Sequence, residues 1–184
     1  MQHIPEQATG GERAPMAVAY HEAGHAVAAY LCGRAVHRLD MRFPDQCRIM
    51  LEGVSTMMPA TIPGHRVSRA RRSASVTSCV GDHREIWNDV LIRLAGPAAE
   101  AIQTGAYGES GGRDDITCAV RLAQCGTDVH AEDDVALAEW LLASSRRFLL
   151  NRDIWPLVET VAGALVEEQV IEAERLRRIL ARVR

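Results

Sequence analysis

The chain has 184 residues, of which 47% are hydrophobic, 24% are charged and only 4% are aromatic. That length suits one domain with a real core, and the composition is that of a soluble protein rich in helix-forming residues. No apolar run approaches the roughly 20 residues that a transmembrane helix needs, while the net charge of -3 argues neither for nor against a nucleic-acid partner. Five cysteines without a C-x-x-C pair favour reduced thiols, and so a cytoplasmic protein, over a disulfide framework.

The first part of the chain predicts a lead-in, a helix and a small β element. Residues 1–15 are polar and contain glycine and proline, so we expect a disordered lead-in. Pro15 suits the first turn of a helix that runs to about Cys32, and Gly33 is a plausible end. Residues 36–58 contain short β-branched and apolar pieces broken by proline and glycine, which predict two or three short strands.

Helical periodicity dominates the rest of the chain. The loop 60–75 contains four arginines with no aromatic residue among them, so we interpret it as solvated rather than as a nucleic-acid contact. The predicted helices are 82–105, interrupted at Gly96-Pro97, then 113–126, 131–150, 155–169 and 172–183. We therefore expect a mainly α (α+β) domain with a core over residues 16–128 and a C-terminal helical bundle over residues 129–184.

The segment AVAYHEAGHAVAAYL, residues 17–31, contains the pattern HExxH. On a helix His21 and His25 lie on one face, so both imidazoles can bind a single zinc at about 2.0–2.1 Å. Glu22 is turned by about 100° from His21, where it can take the proton of a water on the metal. The neighbours are small and apolar, and buried histidines need partners for their nitrogens. These features predict a zinc site of a hydrolase rather than two core histidines.

Zinc in a catalytic site needs a third protein ligand. The metzincin extension would place glycine and histidine where this sequence has Ala28 and Leu31, so that class is excluded. Glu100, Asp114 and Asp115 remain candidates, and residue type does not choose among them. Other metal-binding residue types are interpreted as isolated surface histidines or small core cysteines: His37, His65, His83, His130, Cys118 and Cys125.

Three segments in order resemble the signatures of one protease family. HEAGHAVAAYL, LIRLAGPAAEAI and GESGGRDDITCAVRLA look like consecutive motifs of the peptidase domain of FtsH-type AAA zinc metalloproteases. The tail LVEEQVIEAERLRRIL resembles the end of that domain, and LEGVSTMMP weakly resembles the strand beside its cleft. The resemblance covers roughly residues 16–184.

The resemblance implies a zincin-like, mostly helical fold with a zinc ion bound by two histidines and one aspartate. Transferred to this sequence, the ligands are His21, His25 and Asp115, and Glu22 is the catalytic base. Glu100 becomes a carboxylate that orients a histidine ligand from outside the metal site.

The sequence also departs from that family. The family's membrane helices are absent, and no G-x-x-x-x-G-K-[ST] motif occurs in the 184 residues, so we expect no ATP-driven unfolding by this chain. We expect a cytoplasmic zinc metalloendopeptidase that hydrolyses flexible or unfolded polypeptides. The alternatives are a retired, zinc-bearing binding module, and a protease subunit that docks on a separate ATPase or on further copies of itself. The intact Glu22 argues against retirement, whereas the poor match over residues 42–89 argues for it.

Overall fold

The computed structural model of the chain describes residues 15–42, 48–51, 83–106, 111–126 and 134–181. Within these ranges the helices are α1 (Pro15–Leu31), α2 (His83–Thr104), α3 (Gly111–Gly126), α4 (Asp134–Leu149), α5 (Trp155–Glu168) and α6 (Ala173–Ala181). The strands are β1 (Val36–Asp40), β2 (Arg48–Leu51) and β3 (Val170–Glu172). The prediction of a mainly helical protein with a small β element is confirmed.

Helix α1 begins and ends as its sequence predicts. Pro15 is its first residue, where the missing N–H of proline removes no helical hydrogen bond. Gly33 follows the helix with a φ of 75°, in the left-handed region that glycine adopts without steric cost. The N–H groups of Cys32 and Arg34 donate to helical carbonyls at 2.9 Å, which closes the C-terminal turn.

The predicted interruption of the second helix is wrong, because α2 is continuous through Gly96 and Pro97. Pro97 has no N–H to donate to the carbonyl of Arg93, one turn earlier, which removes one helical hydrogen bond. Residues 94–101 are nevertheless all buried. Packing on both sides of α2 therefore outweighs the local cost of the proline.

The three strands form an antiparallel sheet in the order β2-β1-β3. Strand β3 corrects the prediction, which passed directly from the helix 155–169 to the last helix. Gln169 ends α5 with a φ of 57° and redirects the chain, so that Ile171 pairs with Leu39 of β1. Both of these side chains are fully buried. The small β element near residues 36–58 therefore includes a strand from the end of the chain.

Some predicted features lie outside the described residues. They are the lead-in before Pro15, the segment LEGVSTMMP beyond Leu51, the arginine-containing loop and the junction between α3 and α4. Helix α3 begins at Gly111, two residues earlier than predicted. A side chain at Gly112 would come within 3.5 Å of Pro97, so this first turn packs directly on α2.

Helix α2 lies between two groups of apolar side chains. One face packs on α1, in the core that α1 shares with β1, β3, α5 and α6. The other face packs Val90 and Leu94 against α3 and α4. Helix α2 thus brings α1 and the start of α3 together, while α5 covers another face of α1.

The division of the domain between residues 128 and 129 stays a prediction. No helix of the described ranges is both long and apolar enough to cross a membrane.

Candidate metal centre

Three side chains from two helices converge on one point. His21 and His25 come from α1 with their Nε2 atoms 3.1 Å apart. Asp115, near the start of α3, places its Oδ2 atom 3.2 Å from each of these nitrogens. The helix spacing brings the histidines together, and the packing of α3 on α2 adds the carboxylate.

Each histidine is oriented by a hydrogen bond from its other ring nitrogen. His21 Nδ1 donates to Glu100 Oε2 at 3.0 Å, and His25 Nδ1 donates to the backbone carbonyl oxygen of Ile92 at 2.7 Å. A carbonyl oxygen can only accept, so Nδ1 of His25 carries the hydrogen, and its Nε2 has a free lone pair when the ring is neutral. Both partners belong to α2, which therefore fixes the rotation of both rings.

The charges of this cluster favour a cation at its centre. Burial alone would lower the pKa of His21, but hydrogen bonds to Asp115 and Glu100 and the charges of Glu22 and Asp115 raise it to about 9. Burial alone would raise the pKa of the Asp115 carboxyl, but the nearby charges and hydrogen bonds of His25 and His21 hold it well below its usual range. With both rings neutral, the lone pairs of the two Nε2 atoms and of a carboxylate oxygen would face one another, and a proton or a metal ion between them removes the repulsion.

The donor atoms fit a zinc ion. Two ligand atoms of a tetrahedral zinc site, each about 2.0–2.1 Å from the ion, are about 3.3–3.4 Å apart. The separations among His21, His25 and Asp115 are 3.1 and 3.2 Å. Two imidazoles and one carboxylate are also a ligand set of catalytic zinc, which leaves a fourth position for water. The outer contacts to Glu100 and Ile92 are of the kind that orient metal-bound histidines.

Glu22 lies beside this cluster with a free carboxylate oxygen. Only 6% of the residue is exposed, and its Oε2 atom has no hydrogen-bond partner among the described residues. Buried polar atoms are rarely left in this state, because each loses its hydration without compensation. Its charge also contributes to the raised pKa of His21. Glu22 therefore has one buried carboxylate oxygen without a partner among the described residues, on a side chain that acts electrostatically on His21.

The remaining candidates are placed apart from the three converging atoms. Asp114 is exposed, and Glu100 is buried and accepts a hydrogen bond from the outer nitrogen of His21. The surface position predicted for His37 and His83 is confirmed. Cys118 is half-buried and does not belong to the metal-ligand group found among the described residues. The other two isolated histidines and the side chain of the second helical cysteine are outside the described part of the chain.

Two glycines and one carbonyl of the site were missed by sequence reasoning. A Cβ atom at Gly24 would lie 2.2 Å from the carbonyl oxygen of Ala95, and one at Gly96 would lie 2.2 Å from His25 Nε2. The sequence contained only a weak signal, because a glycine inside a helical pattern is unfavourable for the helix and Gly163 shows that it can also face open space. The Ile92 carbonyl had no such signal, since every residue has one.

No protein-family model matches the chain, and no curated protein matches it significantly. The resemblance to FtsH-type peptidase domains therefore rests on the motifs quoted above. The function of the site has to be inferred from its own geometry and chemistry.

Proposed function

We propose that the chain is a zinc metalloendopeptidase that hydrolyses flexible or unfolded polypeptides. The observation that carries the proposal is the convergence of His21 Nε2, His25 Nε2 and Asp115 Oδ2 beside Glu22, whose Oε2 atom is buried and has no partner in the part of the chain that the structure describes. A site that only binds zinc for structural reasons has no need of a free carboxylate beside it. A hydrolytic site needs one as a general base.

Each residue has a definite part in the proposed reaction. His21, His25 and Asp115 would hold the zinc ion, and Glu100 and the Ile92 carbonyl keep the two rings in the required rotation. When bound, zinc would supply Lewis acidity toward the scissile carbonyl and toward the attacking water. Glu22 accepts a proton as the water oxygen bonds to the carbonyl carbon. It then donates a proton to the amine nitrogen as the C–N bond breaks.

The proposed substrates are polypeptides that are already extended. A folded substrate must first unfold, commonly against about 5–15 kcal/mol. This chain has no G-x-x-x-x-G-K-[ST] motif with which to couple that step to ATP. Stable folded proteins would therefore need a separate ATPase, whether acting on one chain or on an assembly of copies. The free thiols of Cys32 and Cys118 agree with action in the cytoplasm.

The test compares the wild-type protein with Glu22→Gln on an unstructured protein and on a stable folded one. We expect zinc to be retained by the variant, while hydrolysis of the unstructured substrate falls by roughly 10²–10⁴-fold. Asp114→Asn is the matched control, because it also neutralises one carboxylate but at an exposed position outside the site. This control should cleave like the wild type, and ATP should change neither rate.

The contrary result is a wild-type protein that contains zinc but cleaves no unstructured substrate faster than Glu22→Gln. That result would exclude an autonomous peptidase. It would favour a zinc-bearing binding module, or a protease subunit that acts only on a separate ATPase.

A further inference from the structure

The imidazole of His25 occupies the volume that a side chain at position 96 would fill. A Cβ atom built on Gly96 would lie 2.2 Å from Nε2, 2.5 Å from Cε1 and 2.7 Å from Cδ2 of that ring. Optimal separations between non-bonded carbon atoms are about 3.5–4.0 Å. The ring therefore lies directly on the backbone of α2, and its metal-facing nitrogen is the atom nearest to the missing side chain.

The same turn of α2 also holds the other side of the ring. His25 Nδ1 donates to the carbonyl oxygen of Ile92, four residues before Gly96, at 2.7 Å. The imidazoles of His25 and His21 meet edge to face, with centroids 4.7 Å apart and an interplanar angle of 79°. Contact with one helical turn thus determines both the position and the rotation of the His25 ring.

The other glycines have different surroundings. A Cβ at Gly112 would meet only Pro97, at an ordinary 3.5 Å, and one at Gly163 in α5 would meet no atom within 4 Å. At Gly24 it would strike the backbone carbonyl of Ala95. Among the glycines whose surroundings the structure describes, Gly96 alone faces a histidine of the site.

We propose that Gly96 is a positioning residue for the zinc ligand His25. This inference rests on the proposed zinc site. A methyl group at position 96 would push the imidazole away from α2, break its hydrogen bond to Ile92 and move Nε2 out of reach of the shared ion. Since the struck atoms belong to a side chain that can rotate, the loss falls on ligand geometry. The fold should survive, because alanine is a better helix former than glycine.

The first test measures zinc affinity by competition with a chromophoric chelator. Gly96→Ala is expected to weaken zinc binding at least 10–100-fold, as the loss of a group that orients a metal ligand typically does. Gly112→Ala and Gly163→Ala make the same change where there is space, and should bind like the wild type. Unchanged zinc affinity in folded Gly96→Ala would overturn the proposal.

The second test uses metal-free protein and depends neither on zinc nor on activity. In NMR spectra the Nδ1–H signal of His25, protected by Ile92, should be lost in Gly96→Ala. The change Gly96→Ala is also made in a His25→Ala background, where no ring is left to strike. We expect it to lower the Tm in the wild-type background and to raise it in the His25→Ala background.

Equal Tm changes in the two backgrounds would assign Gly96 a general packing role and overturn the proposal. If Gly96→Ala alone does not fold, folding of the double variant supports the proposal, and failure of the double variant overturns it. If the wild type binds no zinc, the proposed function fails, while the Tm comparison still decides whether Gly96 positions His25.

Discussion

Two faces of α1 pack in different ways. Toward α2 and α3 the helix presents His21, Gly24 and His25, and hydrogen bonds and a close approach of backbones there add to the packing of small apolar side chains. Toward α5, Tyr20 stacks on Trp155 with ring centroids 5.7 Å apart. The large α5 side chains buried in the core that this helix shares with α1 are Leu157, Val158, Val161 and Leu165.

The two faces therefore differ in what they require. The face toward α5 requires side chains of suitable total volume, whereas the face toward α2 requires particular atoms at particular positions. Apolar burial has no preferred direction, so the α5 side should tolerate a residue of similar size. The α2 side depends on individual atoms, such as the Ile92 carbonyl and the absent side chains of Gly24 and Gly96. We expect changes on the α5 side to lower stability without affecting the metal, and changes on the α2 side to lower metal affinity.

Removing volume on the α5 side should have the largest effect on stability. Leu165 is fully buried, so Leu165→Ala should lower the free energy of unfolding of the metal-free protein by about 2–5 kcal/mol. The zinc affinity of the folded variant should not change. Denaturant titration and chelator competition measure the two quantities. Leu165→Met is the control and should cost less than about 1.5 kcal/mol. A loss of zinc affinity in folded Leu165→Ala would contradict the comparison.

Adding a methyl group on the α2 side should cost somewhat less stability but reach the metal. Gly24→Ala forces a Cβ atom against the Ala95 carbonyl and should cost about 1–3 kcal/mol, with weaker zinc binding, because α1 and α2 must separate. In Gly163→Ala the new methyl group meets open space and should stabilise the protein by up to about 1 kcal/mol. If both variants change the free energy of unfolding equally, the close approach of Gly24 to Ala95 does not restrict residue size between α1 and α2.

Deleting carboxylates should distinguish a zinc ligand from the group that orients one. Glu100→Ala should weaken zinc binding about 10–100-fold, and Asp115→Ala should weaken it further because a metal ligand is lost. Asp114→Ala removes an exposed neighbour and should have no effect. If Glu100→Ala releases zinc and Asp115→Ala retains it, the two roles are reversed.

Zinc binding should release a proton from His21. In the metal-free protein the pKa of His21 is raised to about 9, so its Nε2 is protonated at pH 7. The Asp115 carboxyl is already ionised there, because its pKa is lowered. We therefore expect about one proton released per zinc at pH 7, and an apparent affinity that rises about tenfold per pH unit until about pH 9. Calorimetry in buffers of different protonation enthalpy measures this number, and no release would contradict the ligand assignment.

Local features of the fold were predictable because they depend on a few adjacent residues. Pro15 and Gly33 predicted the two ends of α1 correctly, because the backbone preferences of proline and glycine act at their own positions. Strand β3 was not predictable, because its formation depends on pairing Ile171 with Leu39, far away in the chain. The predicted break at Pro97 failed for the same reason: tertiary packing, absent from local propensity, keeps α2 helical.

The residues of the candidate site also differ in whether local sequence could predict them. The pair His21 and His25 follows from helix geometry alone, because they are four residues apart. Asp115 is 94 residues from His21. Residue type alone made Asp115, Glu100 and Asp114 equally plausible as the third metal ligand. Only the resemblance to a family selected Asp115. The structure now places Asp115 Oδ2 beside both imidazoles, Glu100 on the outer nitrogen of His21, and Asp114 at the surface.

The proposed binding of one zinc ion by His21, His25 and Asp115 is tested most directly by the zinc content of the purified protein and of its single variants, measured by mass spectrometry of the metal. We expect about one zinc per chain in the wild type, and almost none in His21→Ala, His25→Ala and Asp115→Ala. His83→Ala removes an exposed histidine outside the site and should keep its zinc. A wild type without zinc, or full zinc occupancy in the three ligand variants, would contradict the proposed zinc site.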